Sequence, residues 1–144
     1  MSIGTGENVQ QRSPVQLFHY SKKDFIMPFM FQNLEVYQKS VDLAEQIINL
    51  TDEFPKGYYF LADQLNRAAL SISTNLAEGN GRFTKGDRRN FFIIARGSVQ
   101  ECVPLLEIAK RKQFFSQDKF SILLNQLETI SKMISGLING LDKK

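Results

Sequence analysis

The chain has no tryptophan, one cysteine, one histidine and four prolines in 144 residues, and each scarcity removes a class of protein. Cys102 alone cannot form an internal disulfide, and nothing resembles a secretory hydrophobic segment, so a reducing, cytoplasmic setting is the simplest expectation. No apolar run approaches the roughly 18 residues of a membrane span, which argues against a membrane class. The lone histidine, His19, excludes a di-iron carboxylate site, which draws a Glu-x-x-His motif from each of two helices. It also removes Ser-His and Cys-His nucleophilic pairs, and Cys102, on an apolar stripe, reads as an inert core residue. Gly79, Gly81 and Gly86 lack the preceding strand and the Lys-Ser/Thr ending of a phosphate-binding loop. No metal, no cofactor and no catalytic centre are therefore expected.

What remains is an ordinary globular composition. Hydrophobic residues make up 42% and charged residues 23%, which favours neither disorder nor a fibrous class. One domain of this length buries roughly 68 to 70% of the surface its unfolded chain exposes, enough for a single core. The net charge of +3 permits contact with nucleic acid without requiring it. Twelve phenylalanines, several at helical spacing, read as core rather than as a base-stacking platform.

Residues 1–28 mix Gly, Ser, Asn, Gln and charge without periodicity and read as a flexible or loosely docked N-terminal extension; residues 29–144 read as the folded domain. Asn33 is a fair N-cap for a first helix, whose stripe runs Leu34, Tyr37, Val41, Ala44, Ile47 or Ile48 and Leu50 before Phe54 and Pro55 end it. A second helix is expected from Tyr58 to Glu78 on Leu61, Leu65, Ala68, Ile72 and Leu76, with Gly79 as its C-terminal stop and Asn80, Gly81 and Arg82 in the turn. Thr84 followed by Asp87 caps a third helix through Phe91, Ala95, Ser98, Cys102, Leu105 and Ala109, stopping near Lys112, with a bend near Pro104. A fourth begins around Ser116 and carries Phe120, Leu123, Leu127, Ile130, Ile134, Leu137 and Leu141. Four amphipathic helices on short loops predict an all-α, antiparallel up-and-down four-helix bundle.

Two features ask for more than a core. On the second helix Gln64, Arg67, Ser71, Asn75 and Glu78 form a polar stripe among small residues, answered on the third by Ala95, Gly97, Ser98 and Glu101. Facing one another, these make a buried hydrogen-bonded network, a ligand cleft or a subunit interface. Glu78, at the negative end of its helix dipole, asks for a cation, with Arg67, Arg82 or Arg96 in reach.

The second feature is basic. Arg82, Lys85, Arg88, Arg89 and Arg96 gather around the turn into the third helix. Cations at a helix N-terminus are locally unfavourable, so this group is a candidate for nucleic-acid phosphates, against a solvated face or a protein partner. Lys110, Arg111 and Lys112 lie about 40 Å away at 1.5 Å rise per residue and suit a helix C-terminus.

Gln64, Arg67, Ala68, Ser71, Ile72, Asn75, Ala77, Glu78 and Gly79, then Ala95, Gly97, Ser98 and Glu101, with Phe54-Pro55 closing the first helix, make a recognisable order. From Phe31 onward the chain resembles the four-helix-bundle proteins encoded within intervening sequences of bacterial 23S ribosomal RNA genes. These are relatives of the accessory variability determinant protein of diversity-generating retroelements. Asn66 stands where the family often has a second arginine, and Ser73-Thr74 where Pro-Ser is usual.

The resemblance implies a ring-like homo-oligomer, a pentamer, with no known enzymatic activity and an undetermined biochemical role. The retroelement relatives use basic bundle surfaces to engage a reverse transcriptase and nucleic acid. The expectation is a non-enzymatic oligomeric module whose basic end binds RNA or DNA phosphates without reading sequence. The alternative is a scaffold that docks a partner protein such as a reverse transcriptase or other polymerase.

Overall fold

The computed structural model describes residues 29–143, so the N-terminal extension and His19 lie outside the described residues. Four helices follow a short 3-10 turn at Met30–Asn33: α1 (Glu35–Thr51), α2 (Tyr59–Asn80), α3 (Lys85–Arg111) and α4 (Gln117–Asp142). Each packs against its neighbour in sequence, α2 with α3 most extensively, and a lighter α1–α4 contact closes the ring. This is the up-and-down four-helix bundle the periodicity predicts. The core runs its length on Leu43, Ile47, Leu65, Ile72, Leu76, Leu106, Leu123, Leu127, Ile130 and Ile134, all fully buried. No described helix is long and apolar enough to cross a membrane.

The starts of α3 and α4 follow from local chemistry. Thr84 Oγ1 accepts from the Asp87 amide at 3.1 Å, and Ser116 Oγ accepts from the Lys119 amide at 3.1 Å. Each hydroxyl satisfies one of the amides that a helix start leaves without an internal partner. α3 runs unbroken through Pro104, which faces solvent. The carbonyl that Pro104 cannot serve belongs to Gln100, also exposed, so that solvent can reach it in place of the missing donor. α3 is closed by Gln113, two residues past its last turn, whose φ of 66° is left-handed. Its amide bonds to the Lys110 carbonyl at 2.9 Å and the Phe114 amide to the Ala109 carbonyl at 3.0 Å, a Schellman closure on a residue other than glycine.

The first helix starts and faces differently from the expectation. Asn33 closes the 3-10 turn and Leu34 takes the N-cap position without a side-chain bond. The buried face is Val36, Ser40, Leu43, Ala44, Ile47 and Thr51, while Val41 is exposed. Ser40 and Thr51 can be buried because each hydroxyl lies within hydrogen-bond reach of the carbonyl three residues back, at 2.7 Å from Tyr37 and 3.1 Å from Ile48.

Gly79 is not the stop of α2. The helix continues to Asn80 with Gly81 as its C-cap. Gly79 is buried, and a Cβ there would lie 2.8 Å from Phe92 Cε1 and 3.0 Å from Phe91 Cβ. Its missing side chain is what lets α3 come this close. Gly79→Ala would push the Phe92 ring out of its slot and is expected to destabilise by about 1–3 kcal/mol, overpacking outweighing the gain in helix propensity. Thermal denaturation of the two proteins checks this.

Candidate functional site

The small residues of α2 and α3 bring the polar stripe's centre together. Ser98 donates its hydroxyl to Ser71 Oγ at 2.7 Å, and Asn75 Nδ2 donates to the same oxygen at 2.9 Å and to the Ser71 carbonyl at 2.8 Å. This three-residue bridge ties the two helices at one register. The rest of the stripe does not join it, and a single buried network is not what forms. Gln64, Arg67, Glu78 and Glu101 are exposed, because their longer side chains reach past the seam into water. Arg67 pairs with Asp63 at 3.5 Å and Glu78 with Arg82 at 2.8 Å, each one helical turn along the chain. Arg82 is therefore the cation that offsets Glu78 at the helix end. Such exposed pairs contribute only a few tenths of a kcal/mol. Asn66 accepts a hydrogen bond from Thr51 Oγ1 at 2.9 Å and fastens α2 to the end of α1.

Beside the bridge, the outer face of α2 and α3 exposes Leu70, Ile93, Ile94 and Ile108. Among them lie Arg67, Gly97 and Glu101, also exposed.

The basic residues divide. Around the α2–α3 turn, Arg82 lies over the Phe91 ring at 4.7 Å, and Arg88 Nε donates to the Arg82 carbonyl at 2.8 Å. Lys85 is exposed on the first turn of α3. Arg89 is turned to α4, where it pairs with Asp142. Arg96 donates to Ser135 Oγ at 3.0 Å, also on α4, about 16 Å along α3 from Lys85. Arg82, Lys85 and Arg88 thus share one end, and Arg96 stands apart from them. Phe83, between them, is 101% exposed. Phenylalanine spacing gave no warning of it, since a turn residue belongs to no helical period.

At the opposite end Lys110 lies over Phe120 at 5.2 Å, Lys112 over Tyr58 at 5.4 Å, and Arg111 pairs with Glu107 at 2.9 Å. These cations complete an aromatic cap in which Phe114 meets Phe54 at 5.1 Å and Tyr58 at 4.8 Å between ring centres.

No group of three metal-ligating side chains gathers among the described residues. Clefts of about 490 Å3 beneath the α1–α2 loop and about 320 Å3 along the α1–α4 seam include neither Glu78 nor Glu101. Cys102 is buried in the core. Burial, and next the charge of Glu101, push its thiol from 9.0 up to about 12. The unfolded chain therefore loses this proton first. The stability tied to the neutral thiol is complete below about pH 9 and falls as pH rises from there toward 12. In the native protein iodoacetamide is expected to label Cys102 only as fast as the bundle opens, and rapidly once denaturant is added; mass spectrometry over time reads both rates.

A crystal structure at 1.70 Å resolution, of a protein with unknown function from the S23 ribosomal protein family of Bacteroides thetaiotaomicron, is similar in fold. The TM-score is 0.67 at 24% identity, covering 72% of this chain and 97% of that one. No curated protein matches the chain. Residues 32–136 match the 23S rRNA-intervening sequence protein family, a stretch that runs from the 3-10 turn through the Ser71–Asn75–Ser98 bridge and into the last turns of α4. The chain belongs to the 23S rRNA-intervening sequence protein family.

Proposed function

We propose that this protein is a non-enzymatic, homo-oligomeric binding module of the cytoplasm whose basic end contacts RNA or DNA phosphates without reading sequence. The observation that carries the reading is the grouping of Arg82, Lys85 and Arg88 on one turn, where Lys85 and Arg88 have no carboxylate partner among the described residues. Cations held around one turn attract phosphate oxygens by charge and by N–H donation, and nothing in that chemistry distinguishes one base from another. Cys102, buried with a raised thiol pKa, is poorly suited to act as a nucleophile, and Glu78 and Glu101 lie outside the clefts described above.

Oligomerisation would repeat this patch around a ring and raise a modest local charge into a strong field. The resemblance to the intervening-sequence proteins points to five copies. The contact surface we propose is the outer face of α2 and α3, because Leu70, Ile94 and Ile108 are exposed there beside charges of both signs, Arg67 and Glu101. Exposed apolar groups also suit a different partner, and a polymerase such as a reverse transcriptase is the second reading.

Fluorescence anisotropy against single-stranded RNA and duplex DNA across a salt series tests the first claim. The logarithm of the affinity is expected to fall linearly with the logarithm of salt. Charge reversal of Lys85 and Arg88 to Glu is expected to weaken binding to every sequence alike and lower the salt slope by about 2 in total; an unchanged slope and affinity would sink the assignment. Arg89 is left alone because of its tie to Asp142. Light scattering tests the second claim: I94D with I108D is expected to reduce the particle to the 16.5 kDa protomer while circular dichroism stays helical.

A further inference from the structure

Phe83 is the most exposed apolar side chain described, at 101%, and it occupies a turn that the surrounding bonds hold still. On one side the Arg82 amide bonds to the Gly79 carbonyl at 3.2 Å, and Arg88 Nε takes the Arg82 carbonyl at 2.8 Å. On the other, Thr84 caps α3 through the Asp87 amide. Arg82 itself is fixed by the Phe91 ring and Glu78. The backbone around Phe83 is therefore pinned, yet its ring stands in water beside the three cations of the basic end.

We propose that Phe83 is a stacking platform for an unpaired base, which makes the preferred ligand of the basic end single-stranded nucleic acid. The inference rests on the phosphate-binding reading above and narrows it. An aromatic ring offers every base a π-face without regard to sequence, while adjacent Lys and Arg side chains hold the backbone of the same strand. Bases within a duplex are already stacked on both faces and cannot accept the ring, so only the phosphate contacts would remain for a duplex. A turn held rigid before binding loses little freedom when the base arrives. The acidic groups near the turn, Glu78 and Asp87, do not cancel the patch: Glu78 is taken by Arg82, and the sum over residues 78–89 stays positive.

The experiment uses the full chain with a fluorescein-labelled oligouridine strand and a blunt RNA duplex of equal length. Phe83→Ala is expected to weaken strand binding about tenfold and leave duplex binding unchanged, a loss of the size associated with one stacked base. Phe83→Tyr keeps the ring and is expected to keep the affinity. If the wild-type protein binds the strand and Phe83→Ala binds it equally well, the platform is disproved while phosphate binding stands. If the wild-type protein binds neither probe at low salt, both readings fall together. If light scattering shows that Phe83→Ala changes the particle mass, Phe83 belongs to a contact between copies, and the stacking role is overturned.

Discussion

The close approach of α2 and α3 is the constraint from which the remaining features follow. It depends on what is missing at Gly79, where a single Cβ would collide with the Phe92 ring, and on Ala68 and Ala95, both buried with minimal side chains. Only across so narrow a seam can two serines touch, and the Ser98–Ser71 bond with Asn75 alongside then selects one sliding position out of several that an apolar seam would accept equally. Fixing that register also fixes the end of the hairpin. The turn from Gly81 to Thr84 has no freedom to relocate once Gly79 and Phe92 are in contact, and Arg82, Phe83 and Arg88 inherit their positions from it.

Charge along the molecule is used in two ways. At the aromatic-capped end the cations lie over rings or beside a carboxylate, so they finish helices and cover apolar surface. At the other end Arg82 does the same for Phe91 and Glu78, and Arg89 anchors the last turn of α4 through Asp142. Lys85 and Arg88 have no carboxylate partner among the described residues, although Arg88 also bonds to the Arg82 carbonyl, and the functional proposal is built on their charge. A tally of basic residues would have treated all of them alike.

Three of the four helices were legible because their buried faces are apolar at regular spacing: Leu61 to Leu76, Ala95 to Ala109, and Phe120 to Ile134 stand where the period puts them. The first helix was misread because Ser40 and Thr51 look polar in a sequence yet bury hydroxyls beside their own helix's carbonyls, which rotated the expected stripe onto Val41. Gly79 signalled a helix end in the sequence, since glycine so often caps one; that it serves close packing instead depends on Phe92, a residue on another helix. Within the polar stripe, reach decides which residues join the seam. Ser71, Asn75 and Ser98 are short enough to remain in the seam, and Gln64, Arg67, Glu78 and Glu101 are not. Phe83 was illegible for a simpler reason: no periodic rule assigns a face to a turn residue.

Each helix packs on the helix next to it in the chain, and among helix pairs the lighter α1–α4 seam is the one that joins distant segments. That ordering has a kinetic meaning. Contacts between chain neighbours close short loops, so little entropy is lost before they form, and folds dominated by them cross their barrier quickly. The α2–α3 hairpin, with the shortest connection and the most extensive contact, is the natural nucleus on which α1 and α4 condense. The seam with its paired Gln46 and Gln126 amides is then the last to zip and the first to part, so amide hydrogens along α1 are expected to exchange before those in the middle of α2 and α3.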